Sequence, residues 1–84
     1  MNSDIFEYEL NTINNELNKV LEKIEKFENK YYQKFYQFER HMIDDSEKNG
    51  EHWEDYFDWK SLAHRKKMLN SKINQLKKLY NQNS

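Results

Sequence analysis

Asp45-x-Glu47-x-Asn49-Gly50 sets oxygen-bearing side chains at the spacing of positions 1, 3 and 5 of a calcium loop, with the glycine at position 6. Such a loop is closed by a bidentate glutamate at position 12, and here that position is Tyr56. Asp55 next door is no substitute, because a shift of one residue points the carboxylate elsewhere on a helix. The stretch therefore reads as a solvated acidic turn. His41, His52 and His64 stand among carboxylates, yet none has a histidine three or four residues away and there is no HExxH. His52 with Asp55 is a two-ligand arrangement of a kind common on acidic surfaces. Nucleophilic catalysis would have to use Ser3, Ser46, Ser61, Ser71 or Ser84, since the chain has no cysteine, and no glycine-rich loop exists to cradle a phosphate. The expectation is a protein with no catalytic residue, no metal site and no cofactor, and so not an enzyme.

What stands out instead is aromatic. Nine of the thirteen aromatic residues lie between Tyr31 and Trp59, too many for a solvated elbow. Charge is equally segregated: residues 1–43 are net -2, residues 44–58 are net -6, and residues 59–84 are net +7 with no acid at all. The acids that open a second helix and the bases beyond them have an ordinary explanation in the helix macrodipole. The basic run His64–Leu79 raises nucleic-acid binding, but its bases spread round the helix, only Tyr80 offers a ring, and the acidic elbow repels phosphate. Nucleic acid is thus an unlikely partner for the chain on its own.

The elements that must position these residues are helices. The 84 residues hold no proline and one glycine, and allow one small domain, 1–84, with a thin core. Phe6, Leu10, Ile13, Leu17, Val20, Ile24, Phe27 and Tyr31 alternate steps of four and three, a coiled-coil seam. The stripe continues through Phe35, Phe38 and Met42 after two successive fours, as at a stutter. Helix one is expected from about residue 4 to about residue 44, opened by a capping box of Asp4 and Glu7. An acidic, aromatic elbow over about 45–58 follows, with its turn at Asn49-Gly50. Helix two, over about 55–80, carries Trp59, Leu62, Leu69, Ile73, Leu76 and Tyr80, with Arg65 and Lys66 snorkelling past the seam. The fold expected is all-α, a long antiparallel coiled-coil-like hairpin. A short helix two leaves Tyr80 beside about residue 15 and Phe6 and Leu10 uncovered, so Phe6, Leu10, Ile13 and Leu17 are expected to join a second copy in a homo-oligomeric bundle; fraying of the first turns is the alternative. No apolar run reaches ten residues, so neither a signal peptide nor a membrane span is encoded and a cytoplasmic, membrane-free protein is expected.

Tyr32, Tyr36 and Ile43 form a second stripe beside the seam, and a turn of about 100° per residue places Trp53 nearly opposite Leu62, on one outer side with Phe57 and Met68. Either a partner covers these rings, or segment 51–57 is non-helical and folds back as a lid over Tyr31–Phe38. In the partner reading Trp53, Phe57 and Trp59 are the anchors, with Tyr56, Tyr32 and Tyr36 widening the contact and Asp55 and Asp58 pairing with bases.

At Lys30-Tyr31, Phe35, Phe38 and His52-Trp53-Glu54-Asp55-Tyr56-Phe57-Asp58-Trp59, followed by a leucine-spaced helix, the chain resembles small helical antitoxin-like proteins encoded beside TumE-family toxins. The likeness covers about residues 24 to 79. Such proteins often carry a glycine soon after the helix-one tyrosine, where this chain has Tyr32. The resemblance implies a non-enzymatic antitoxin that binds and neutralises a cognate protein toxin. The alternative function is a structural coiled-coil assembly module for which the aromatics are core. No helix-turn-helix, ribbon or zinc motif is present, so any autorepression would fall to the complex.

Overall fold

Helix propensity and the seam account for most of the architecture. The structure, a computed structural model, describes residues 3–44 and 50–82. Among these, three helices and no strand are found: α1 (Ser3–Tyr31), α2 (Phe35–Asp44) and α3 (Gly50–Gln82). Neither proline nor glycine interrupts α1, Asp4 lies in its first turn and Lys30 in its last, and both charges complement the helix dipole. Its one threonine, Thr12, donates its hydroxyl to the Tyr8 carbonyl at 2.9 Å, which satisfies it within the helix.

The α1 and α3 helices form an antiparallel hairpin, and α2 packs on the N-terminal part of α3. The molecule is a rod of 56 × 18 × 17 Å. Burial along α1 deepens toward α2: Phe6, Leu10, Ile13 and Leu17 are half-buried, and Val20 and Ile24 are buried. The core continues through Phe38, Met42, Tyr56, Trp59 and Leu69. It is thickest where three helices meet.

Three expectations are corrected. Helix one does not run to residue 44 but stops at Tyr31, because Tyr32 adopts φ 54° and the chain turns before restarting at Phe35. That left-handed conformation costs a non-glycine residue roughly 1–2 kcal/mol. The turn lets α2 swing Phe38 and Met42 inward to 3% and 1% exposure, and burying two such side chains contributes about 1.5–3 kcal/mol each. Burial wins. The restart is capped: Gln37 and Phe38 donate backbone N–H groups to the Lys34 carbonyl, and the Gln37 side chain accepts from the Lys34 N–H at 2.9 Å, one half of a capping box.

The second helix begins at Gly50, not near residue 55, and is longer than α1, at 33 residues against 29. In consequence the third expectation also changes. Tyr80 reaches Phe6 and stacks on it with centroids 4.4 Å apart, so Phe6, Leu10, Ile13 and Leu17 are covered within the chain and supply no reason for a second copy. Arg65 clears the seam by reaching across to α1, where its Nε donates to Glu16 at 2.9 Å. No helix of the described residues is long and apolar enough to cross a membrane.

Candidate partner-binding surface

At the α2 end the aromatic residues divide into an inner and an outer set. The inner set surrounds Trp59, which is fully buried and lies against Phe27, Phe35 and Phe38 at 5.2–5.6 Å, with Tyr31 slightly farther at 6.2 Å. Tyr56, 6% exposed, stacks on Phe35 at 6.0 Å. Its hydroxyl donates to Glu39 on α2 at 2.7 Å, and this bond, with burial, raises the phenol above its usual pKa. The Trp59 indole N–H is buried with no acceptor among the described residues.

A polar latch flanks this cluster. Lys30 at the end of α1 bonds Glu51 and Asp55 at 2.7 Å each, and Tyr31 donates its hydroxyl to the same Asp55 carboxylate. Burial works against the Asp55 charge, but the hydrogen bonds from Lys30 and Tyr31 outweigh it and hold the carboxyl below its usual range. Burial, then the bond to Asp55, pushes the Tyr31 phenol up to about 12, and the bonds to Asp55 and Glu51 raise the Lys30 ammonium. Two helix ends are thus pinned by charge.

The outer set faces water. Tyr32 is 91% exposed, Tyr36 71%, Ile43 70% and Phe57 58%. Tyr36 and Ile43 lie seven residues apart, two turns along one face of α2. Tyr36 borders a cleft of about 360 Å³ whose lining includes Phe35, Trp59, Ala63, Lys34 and Lys66. Trp53 is half-buried, its ring edge-on to Tyr56 at 5.8 Å and tilted against Phe57 at 6.0 Å.

Of the residues expected to meet a partner, the structure therefore brings Tyr32 and Tyr36 to the surface of the α2 end and places Phe57 and Asp58 on the outside of α3. Trp59 and Tyr56 are corrected: both are core, because a helix that starts at Gly50 turns them onto α1 and α2. Asp55 is corrected too, its side chain being 15% exposed and committed to Lys30 and Tyr31. Of the two alternatives for segment 51–57 the non-helical lid is corrected: the segment is helical, and as a helix it packs His52 and Tyr56 against Tyr31, Phe35 and Phe38 while Phe57 stays exposed. Ile43, noted only as part of a stripe, belongs to the exposed face. Lys30 as a latch residue and Glu39 as the acceptor for Tyr56 were not anticipated, and nothing in their spacing marks contacts made across 17 to 25 residues of chain.

Among the described residues no three His, Asp or Glu side chains gather as a metal site. Asp45, Glu47 and Asn49 of the calcium-like segment lie outside the described residues. His52 tilts against the Tyr31 ring at 5.6 Å. No family model, curated protein or solved structure matches this chain.

Proposed function

We propose that this chain is a non-catalytic binding protein of the antitoxin type, which neutralises a cognate protein toxin by covering it with its aromatic end. One observation carries the reading: α2, whose inner face packs on α3 and on Tyr31 of α1, presents Tyr36 and Ile43 to water beside a cleft, with Tyr32 in the turn before it. Rings that stand exposed on a rigid, capped helix next to a cleft are the usual anchors of protein interfaces. The resemblance over residues 24 to 79 supplies the class of partner. It also gains a physical point, because Tyr32 holds the left-handed conformation that a glycine at that place would adopt without strain. Neutralisation on this view is occlusion. Nothing is asked of the chain but affinity.

The test is co-expression with the product of the adjacent gene. The wild-type chain should co-purify with it and relieve its toxicity. Tyr36→Ala with Ile43→Ala should weaken the complex by about 2–4 kcal/mol while helicity by circular dichroism is unchanged. If the wild-type chain neither captures the adjacent product nor relieves growth arrest, the antitoxin reading is lost and an assembly module takes its place.

A further inference from the structure

The exposed flank of α3 beside α1 carries a charge pattern that the hairpin uses only in part: Asp58, Ser61 and Arg65 line a groove with Lys23, Lys26 and Phe27 of α1, and Lys72 lines another with Glu9 and Ile13. At about 100° per residue, Glu54, Phe57, Asp58, Ser61, Arg65, Met68 and Lys72 fall on one side of α3, and all seven are exposed. Residues 50–58 hold Glu51, Glu54, Asp55 and Asp58 and no base, whereas residues 65–72 hold Arg65, Lys66, Lys67 and Lys72 and no acid. The helix dipole, the ordinary explanation that the sequence offers for these charges, accounts for Glu51 in the first turn of α3 but not for the rest. Its influence is confined to the terminal turns, and the last turn of α3 contains no base. Contacts within the chain account for only part, since Glu51 and Asp55 bond Lys30 and Arg65 bonds Glu16, but Glu54, Asp58 and Lys72 have no ion-pair partner among the described residues.

We propose that this face pairs with the same face of a second copy, α3 against α3, antiparallel about a two-fold axis at Ser61–Leu62. That register sets Asp58 opposite Arg65 of the second copy and leaves Glu54, which falls opposite residue 69, about one helical turn from Lys72 of the second copy, a gap their long side chains span, each twice. Phe57, 58% exposed, then meets Met68 of the second copy, 43% exposed. At the crossing point stands Ser61, small enough for two helices to approach at 8–10 Å between axes. The occupant is identified by charge: each acidic half of α3 finds a basic half of equal size only when a copy is inverted against it. This face lies apart from Tyr36 and Ile43 and does not depend on the toxin reading.

Two measurements on the full chain test the pairing. Sedimentation equilibrium at low salt should show a monomer–dimer equilibrium that weakens as salt is raised. Glu54→Lys alone and Lys72→Glu alone should each weaken dimerisation about five- to tenfold, and the double variant should recover most of the loss. Residues 54 and 72 are too far apart on one helix to touch, so recovery can arise only across the dyad. In parallel, Ser61→Cys should give a disulfide-linked dimer on mild oxidation, in a chain with no other cysteine, while Thr12→Cys should not. A wild-type chain monomeric at several hundred micromolar, a charge swap no better than its single variants, or no cross-link at residue 61 overturns the proposal. Capture of the adjacent gene product by these variants should match wild type, which keeps the two readings separable.

Discussion

Tyr32 shows how one residue sets a direction change. Its backbone is strained, its ring is 91% exposed and so contributes little packing, and its replacement by glycine removes the strain at small cost. Tyr32→Gly is expected to stabilise the fold by about 0.5–1 kcal/mol, read as a higher Tm in thermal unfolding, even as it trims the exposed surface. A Tm that falls would mean the ring packs on something. Asp55 makes the complementary case at the same scale. Its folded-state carboxyl is held low, so its contribution is present above the ordinary carboxylate pKa of about 4 and is lost as pH falls through its folded value. Tyr31 and Lys30 are raised, so theirs is present below about 10 and lost as pH rises toward the folded values, about 12 for Tyr31. Tm should be level between pH 5 and 9 and decline on both sides; in an Asp55→Asn variant the alkaline decline should shrink, and Tyr31 should titrate lower than in the wild type by ultraviolet absorbance while burial still holds it above the ordinary value. That variant should also lose about 1–2 kcal/mol of stability.

At the scale of elements, α2 is the informative one. Ten residues are too few for a stable isolated helix, so α2 exists because Phe38 and Met42 are buried against its neighbours. Phe38→Ala should cost about 3–5 kcal/mol and melt α2 preferentially, which hydrogen exchange would show as lost protection over residues 35–44 with α1 and α3 less affected. Uniform loss across the chain would instead make the three helices one cooperative unit. The seams of α1 and α3 were legible from spacing alone, since a run of fours and threes has only one sensible helical reading. The break was not. The stutter between Phe27, Tyr31 and Phe35 was visible, but whether a stutter straightens a seam or breaks the helix depends on what lies across from it, here Trp59, far along the chain. The early start of α3 was hidden for a similar reason: Gly50 and five carboxylates over residues 47–59 look like turn chemistry, and only the burial of Tyr56 and Trp59 makes helix the better state. Hence Tyr56, Asp55 and Trp59, the last despite its place in the seam of helix two, were expected to meet a partner, while Phe57 was put on the outer side where it is exposed; Tyr32 and Tyr36 are exposed too, but across a helix break that the spacing did not show.

For the molecule as a whole, the two long helices of the rod cover the Phe6–Leu17 seam within the chain, and the exposed rings beside the α2 cleft lie away from that seam. Folding and binding should therefore separate cleanly. Phe57→Ala should change stability by less than about 0.5 kcal/mol, whereas Trp59→Ala should cost about 3–5 kcal/mol, and urea unfolding of the two variants side by side checks the contrast. Equal losses would place Phe57 in the core. The two tryptophans also make the chain its own optical instrument. Trp59, sealed among rings with its N–H bonded to no acceptor among the described residues, should emit at short wavelength and ignore iodide or acrylamide. Trp53, six residues away and half-buried, should emit to the red and be quenched. In a Trp53→Phe variant the remaining emission follows the core alone, and in a Trp59→Phe variant it follows the outer surface, so docking and unfolding can be watched in separate colours without any attached dye.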